Sequence, residues 1–431
     1  MKFRMKALPL ALGLLALGGF NAAQANGFNV QCPGDINLNG QFEPGEVPGD
    51  KNSNGILDPG ENPNTRCRHV VATDGFVRMG DTQLQYIFGF FDAEGRILDA
   101  GNPAADMVLG ANFPAPTVTM KEGEEVYLSL SNLAFAMRPD LFDAHTVHFH
   151  GFPNASTIFD GEPEAGVGIL PGATITYYYN IKEPGTFMYH CHAEAAEHMQ
   201  MGMLGNLYVH PKQDDTAYTY GGKTYTKFVY NDGDGSTGFD VEYPIQIGSF
   251  DPNFHDASVS TQTLPFADMH DRYPMLNGRG YPDTVQTAPL APIGGLELDA
   301  KLDTTGSASL PASSQKMSSL ITATQGQTVL LRISNLNVTT FYTLATLGLP
   351  TPMKVIGTGA RQLRGPTGAD LSYYTNSVTL GGGETADVLI DTRNIPVGTY
   401  YLYTTNLNYL SNNAEDFGGM MTEIHITAAA I

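Results

Sequence analysis

Two stretches of this chain resemble each other. VTMKEGEEVYLSLSNL (Val118 to Leu133) resembles ITATQGQTVLLRISNL (Ile321 to Leu336). A second pair follows in the same order: LPGATITYYYNIKEPGTFMYHCH (Leu170 to His192) and LGGGETADVLIDTRNIPVGTYYLYTT (Leu380 to Thr405). Both copies read as short alternating strands between Gly, Pro and Asn turns, as in Val126 to Leu130 and Leu204 to His210. No long segment carries a 3.6-residue period. This is the pattern of an all-β sandwich or barrel, and its recurrence implies two copies of one β domain. At 431 residues the chain also exceeds what one core of about 250–300 residues fills. We expect β domains over 70–212 and 213–431, preceded by a smaller segment over 26–69. Ala288 to Ser319, rich in Pro, Ala, Ser, Gly and Thr, reads as a long surface excursion.

The first residues read as a secretory signal. Lys2, Arg4 and Lys6 precede an apolar run from Ala7 to Phe20, and Ala23-Gln24-Ala25 is a small-x-small cleavage site. The run is shorter than the roughly 20 residues of a membrane helix. The expectation is a secreted or periplasmic protein, cleaved after Ala25, with no membrane partner. The formal charge of −21 becomes about −24 without the basic signal, which argues against nucleic acid as a partner. In an oxidising compartment, three cysteines leave one unpaired. Cys32 and Cys67 bracket one short segment and are the expected disulfide. Pairing of either with Cys191 is the alternative.

Between those two cysteines lie two similar acidic loops. Asp35, Asn37, Asn39, Gly40, Gln41, Glu43 and Glu46 occupy positions 1, 3, 5, 6, 7, 9 and 12 of a calcium loop. Asp50, Asn52, Asn54, Gly55, Ile56, Asp58 and Glu61 repeat the pattern. The loops resemble EF-hand loops of the dockerin kind, which implies calcium as a structural cofactor. Pro44 and Pro59 stand where an exiting helix would begin, so full EF-hand pairs are not expected.

The chemistry concentrates in HTVHFHG (His145 to Gly151) and YHCHAEAAEHMQMGM (Tyr189 to Met203). Side chains alternate faces along a strand. In an extended chain, Cys191 therefore points opposite to His190 and His192, and His145 points opposite to His148 and His150. Parity alone predicts two sites back to back. One gathers His145 and Cys191; the other gathers His148, His150, His190 and His192. A blue copper centre needs one thiolate, two imidazoles and a weak axial thioether. Cys191, His145, His198 and Met203 supply that set. Met199 and Met201 read as packing. Asp160, Glu162 and Glu164 read as a solvated acidic turn, whereas Glu194 and Glu197 could orient His198 or relay protons.

These two motifs resemble those of the multicopper oxidase family, within the cupredoxin superfamily. NFPAPTV (Asn112 to Val118), DGEP (Asp160 to Pro163) and LNGRGYPD (Leu276 to Asp283) add weaker likeness. The resemblance implies two cupredoxin-like Greek-key sandwiches, with a type 1 copper on His145, Cys191, His198 and Met203. It also implies a second copper site on His148, His150, His190 and His192, with His190, Cys191 and His192 carrying electrons between the two. The chain departs from the family in its histidine count. A trinuclear cluster uses eight histidines in four pairs, and this chain has two pairs. The second β copy has Tyr403-Thr404-Thr405 in place of HCH and YTLATLG (Tyr342 to Gly348) in place of HTVHFHG. A reduced second site is expected.

The function expected from this reading is a copper-dependent oxidoreductase. It takes electrons singly from a phenolic or metal-ion donor and passes them to a histidine-bound copper that reduces O2. Two alternatives stand beside it. One is a nitrite reductase-like enzyme, whose pattern implies a homotrimer with a partner histidine (His255, His270 or His425) at the interface. The other is a copper-binding or electron-transfer protein without turnover.

Overall fold

The structure is a computed structural model. It describes residues 28–96, 98, 107–260, 263–290, 301–302, 308–309 and 314–429. The expected leader and its cleavage site lie outside the described residues, as does most of the 288–319 stretch.

Eight strands build the first half: β1 (Thr65–Arg78), β2 (Leu84–Asp92), β3 (Ala115–Lys121), β4 (Glu125–Asn132), β5 (His148–His150), β6 (Thr174–Asn180), β7 (Gly185–His190) and β8 (Leu204–His210). They form two four-stranded sheets, ordered β2-β1-β4-β6 and β3-β8-β7-β5. Period-2 alternation drives the packing. Val126, Leu128 and Leu130 point inward from β4 and are fully buried. They meet Phe149, Tyr177, Tyr179, Phe187 and Tyr189 in one core, which also contains Cys191, Met201 and Met203.

The second half repeats this wiring. In the first half β1 runs parallel to β4, and β3 runs parallel to β8. In the second, Val241–Phe250 runs parallel to Thr328–Asn335, and Ile321–Thr324 to Met421–Thr427. The fold is all-β and cupredoxin-like. A separate core of aliphatic side chains, including Val329, Leu331, Val388 and Ile424, fills the second sandwich.

The halves are joined by both apolar and charged contacts. Phe113, Met188 and Leu204 of the first pack with Phe250, Met275 and Leu336 of the second. Arg332, fully buried, donates to Thr186 Oγ1 on β7 at 2.9 Å and to Glu242 at 2.7 Å. Asp387, also fully buried, accepts from Thr186 and from Tyr230 Oη. The strand that ends in His190 is thus gripped from the second sandwich.

Residues 28–64 form turns without helix or strand. A Cys32–Cys67 disulfide ties this segment to β1, and Cys191 is free and buried.

Candidate metal centre

β5 and β7 pair antiparallel, with His148 directly opposite His190 and Phe149 opposite Tyr189. β5 lies at the edge of its sheet. Phe149 and Tyr189 point into the sandwich core, so His148, His150 and His190 take the other face. After His190 the chain stays extended through Cys191, whose amide donates to the Met203 carbonyl at 3.1 Å. Cys191 is therefore directed back toward the core side.

There it meets two imidazoles. His198 Nδ1 lies 3.2 Å from Cys191 Sγ, and His145 Nδ1 lies 3.8 Å from it. All three side chains are buried. The Thr146 amide donates to the sulfur at 3.4 Å. Five residues separate His192 from His198, and the last three of them begin a short helix, Ala195–Gln200, that carries His198 itself. That turn brings His198 back over Cys191. The Met203 amide donates to the His198 carbonyl at 2.8 Å. Met203 is fully buried in the same core cluster as Cys191, so the backbone of the fourth candidate ligand is tied to two of the others.

Burial holds His145 well below the usual imidazole range, with the charge of His198 adding to the effect. Burial also pulls His198 down, but Cys191 and Asp143 outweigh it and push that ring up to about 10. Asp143 Oδ2 stands 3.8 Å from His198 Nε2, which makes no hydrogen bond of its own. Asp143 is the acid whose carboxylate comes within 4 Å of a His198 ring nitrogen, and Glu197 also feels the charge of that ring. Glu194 instead begins the helix in the left-handed region at φ 48° and offers its carbonyl to the Glu197 and His198 amides. Asp143 lies two residues before His145 on irregular backbone, where no strand period points to it.

The other four histidines cluster on the opposite face. His150 Nδ1 and His190 Nε2 are 3.2 Å apart. The His148 ring lies 5.2 Å from that of His190 and 4.9 Å from that of His192, centroid to centroid. Burial lowers His190 to about 3 and lowers His150 too, so both rings are neutral near pH 7 with lone pairs to offer. His148 Nδ1 sits 2.5 Å from the Asp160 carbonyl oxygen, which reserves its Nε2 for the cluster. Such an outer partner fixes the tautomer of a ligating imidazole. The acidic turn is not uniformly solvated. Glu164 is exposed, but Glu162 Oε1 lies 3.8 Å from His192 Nε2.

Three groups of metal-ligating side chains occur among the described residues: His145, Cys191 and His198; His148, His150 and His190; and His148, Glu162 and His192. In each, the ligand atoms lie within 4.8 Å of one another. A buried thiol between two imidazoles fits copper, and so does the neighbouring set of imidazole donors. None of the three groups lies in the second sandwich. There Ala345 stands opposite Tyr403, the pairing that His148 and His190 make in the first.

The remaining histidines are apart from the cluster. His69 and His255 are buried, and His255 has both ring nitrogens against backbone carbonyls, those of Tyr86 and Gln200. His425 pairs with Glu423, and His210 with Asp214. His270 is exposed.

In the N-terminal segment the two acidic loops share one hydrogen-bond pattern. Asp35 accepts from the Gly40 amide at 2.8 Å, and Asp50 from Gly55 at 2.7 Å. Asn39 accepts from Gln41 and Asn54 from Ile56. Glu46 and Glu61 close their loops on the amides of Ile36 and Lys51. Asn37 and Asn52 donate to Glu43 and Asp58.

Comparison with known proteins follows the same lines. Two family profiles, each described as "Multicopper oxidase", match residues 94–214 and 274–426, together more than half of the chain. The iron transport multicopper oxidase FET3 of Gibberella zeae is 36% identical over 120 residues, which is 26% of this chain and 18% of that protein. The chain thus matches under a fifth of that relative's length. Among solved structures, the blue copper oxidase of Nitrosomonas europaea aligns with a TM-score of 0.57 at 19% identity, covering 83% of this chain and 85% of that one. The copper nitrite reductase of the same organism aligns with a TM-score of 0.52 at 16% identity, covering 83% and 93%. Taken with the histidine and cysteine motifs, these matches establish that the chain belongs to the multicopper oxidase family.

Proposed function

We propose that the chain is a copper-dependent oxidoreductase that oxidises a small phenolic or metal-ion donor one electron at a time and reduces O2. The observation that carries this reading is the covalent adjacency of the two sites. Cys191 sits between two buried imidazoles, and its chain neighbours His190 and His192 belong to the four-histidine cluster. When bound, copper supplies the one-electron redox chemistry at both places. The chain's own groups do the rest. Burial of Cys191, His145 and His198 excludes water from the sulfur site, and the Thr146 amide donates to the sulfur. Asp143, partly exposed beside the buried His198, is the group we assign to meeting a cationic or phenolic donor. The exposed rims of Glu162 and His192 leave the histidine cluster open to a small oxidant.

The test is oxygen uptake by the copper-loaded chain with a phenol and with a reduced metal ion as donors. Uptake with either supports the proposal. One copper per chain and no uptake with any donor would sink it in favour of electron transfer without turnover.

A nitrite reductase-like activity is the second reading, favoured by the His150–His190 pair, which that pattern would complete with a partner's histidine. Against His255 in that role stand its burial and the carbonyls of Tyr86 and Gln200 on its two ring nitrogens. His270, exposed, fits it in a homotrimer. Nitrite-dependent oxidation of a reduced donor in place of O2 uptake would select this reading.

We also propose calcium as a structural cofactor of the segment from Asp35 to Glu61. The matched loops support it, with carboxylates at positions 1 and 12 and a positive-φ glycine at position 6 of each (Gly40 φ 79°, Gly55 φ 78°). A lower melting temperature on chelation is expected; no change would count against it. Export to a periplasmic or extracellular space is likewise our reading, resting on the leader sequence. No helix among the described residues is long and apolar enough to cross a membrane.

A further inference from the structure

We propose that Glu162 is a metal ligand, forming with His148 and His192 a two-histidine, one-carboxylate position beside a second position held by His150 and His190. This rests on the copper-enzyme reading above and alters its ligand set.

The geometry divides the cluster in this way. With metal–ligand bonds of about 2.0–2.1 Å, neighbouring ligand atoms lie about 2.9 Å apart in a square-planar site and about 3.4 Å apart in a tetrahedral one. His150 Nδ1 and His190 Nε2, at 3.2 Å, meet that spacing on their own. Glu162 Oε1 and His192 Nε2, at 3.8 Å, are close to it on the other side of the cluster. His148 stands within reach of both groups. Its Nδ1 is committed to the Asp160 carbonyl, so it has one nitrogen, Nε2, to give. Assigning that nitrogen to the side with Glu162 completes a three-ligand set there.

The loop is built to deliver the carboxylate. Gly161 has φ 75°, and a Cβ at that position would lie 2.2 Å from the Val147 carbonyl oxygen. Only glycine allows the backbone to press against the start of β5 at that angle. The turn sets Asp160 on one side of it against His148, and Glu162 on the other against His192. The Glu162 carbonyl then accepts from the amides of Ala165 and Gly166 at 3.1 and 2.7 Å, which pins its backbone. A merely solvated glutamate gains nothing from this placement.

The charge balance favours the same assignment. Four neutral imidazoles cannot offset two divalent ions held side by side. One carboxylate removes a unit of that charge where the site opens to water, Glu162 being 44% exposed on its side chain. Imidazole with carboxylate suits copper(II). A glutamate thus takes up part of the coordination left by the two missing histidine pairs.

The test compares the full copper-loaded chain with its Glu162→Gln variant, by copper per chain and by the electron paramagnetic resonance of the uncoloured copper. The prediction is loss of one uncoloured copper, or an affinity weaker by about 100-fold, with the coloured band unchanged and the melting temperature of the copper-free chain equal to that of the copper-free native chain. Glu164→Gln, in the same loop but exposed, should change nothing. Glu162→His should keep the copper while shifting its hyperfine pattern to nitrogen donors only. Unchanged uncoloured copper in Glu162→Gln would overturn the proposal and leave the two-site reading standing. A native chain that binds only the coloured copper would overturn both.

Discussion

His198 joins Cys191 to Asp143: its Nδ1 is 3.2 Å from the sulfur and its Nε2 is 3.8 Å from the carboxylate. One buried ring therefore spans the distance from the thiolate to a side chain that reaches solvent. Replacing Asp143 by Asn should leave copper content intact and lower kcat/KM for a cationic donor by about tenfold, a loss of about 1.4 kcal/mol. Steady-state kinetics with a cationic and a neutral donor would check this. An equal effect on both would show that Asp143 positions His198 without attracting the donor.

The grip of the second sandwich on β7 can be tested separately. Asp387 is fully buried among Thr186, Tyr230 and Arg332, and burial raises its pKa. Asp387→Ala leaves the Arg332 charge with Glu242 as its remaining acidic partner, itself partly exposed. Removing one member of a buried charge network costs about 3–5 kcal/mol. Denaturant unfolding should show a loss of that order. A change below about 1 kcal/mol would mean that the network does not hold the halves together.

The Cys32–Cys67 disulfide closes a separation of 35 residues around a segment with almost no apolar core. Loop-closure entropy for that length is worth about 4 kcal/mol. The Cys32→Ser, Cys67→Ser double variant should become sensitive to proteolysis between residues 33 and 66, with the coloured copper retained. Digestion followed by mass spectrometry reads both the cut sites and their rate. Resistance equal to the native chain would show that the loops hold themselves.

His69 supplies a pH test. It is buried on β1, with Nε2 3.0 Å from Ser131 Oγ and Nδ1 unpartnered, and burial lowers its pKa to about 4. A histidine held neutral in the fold contributes stability above its unfolded pKa of about 6.5, and loses it as pH falls through 4. Between those values the chain should lose about 3 kcal/mol through this residue. His69→Gln, uncharged throughout, should flatten melting temperature against pH over that window relative to the native chain. Parallel curves would contradict the assignment.

How far the site can be read from sequence depends on which backbone carries each residue. The gathering of His148, His150 and His190 on one face follows from period-2 alternation along β5 and β7, and the split of Cys191 from its two neighbours follows from the same rule. Repeat wiring was legible too, because the pattern that builds β3 and β4 recurs at Ile321 and Thr328. Asp143 and Glu162 were not legible. Asp143 precedes its strand on backbone without a period, and the direction of Glu162 depends on the positive φ of Gly161 and its contact with Val147. Five residues between His192 and His198 left the copper loop open to several shapes, and the short helix Ala195–Gln200 decides among them.

The central claim is that Cys191 serves a coloured copper while its neighbours serve a different metal site. Copper content with the visible spectrum, for the native chain and for Cys191→Ser, tests it most directly. The account predicts an intense blue or green band and more than one copper in the native chain. In the variant the band should vanish and the uncoloured copper should remain. A band that survives in Cys191→Ser, or a native chain that binds copper without colour, would contradict it.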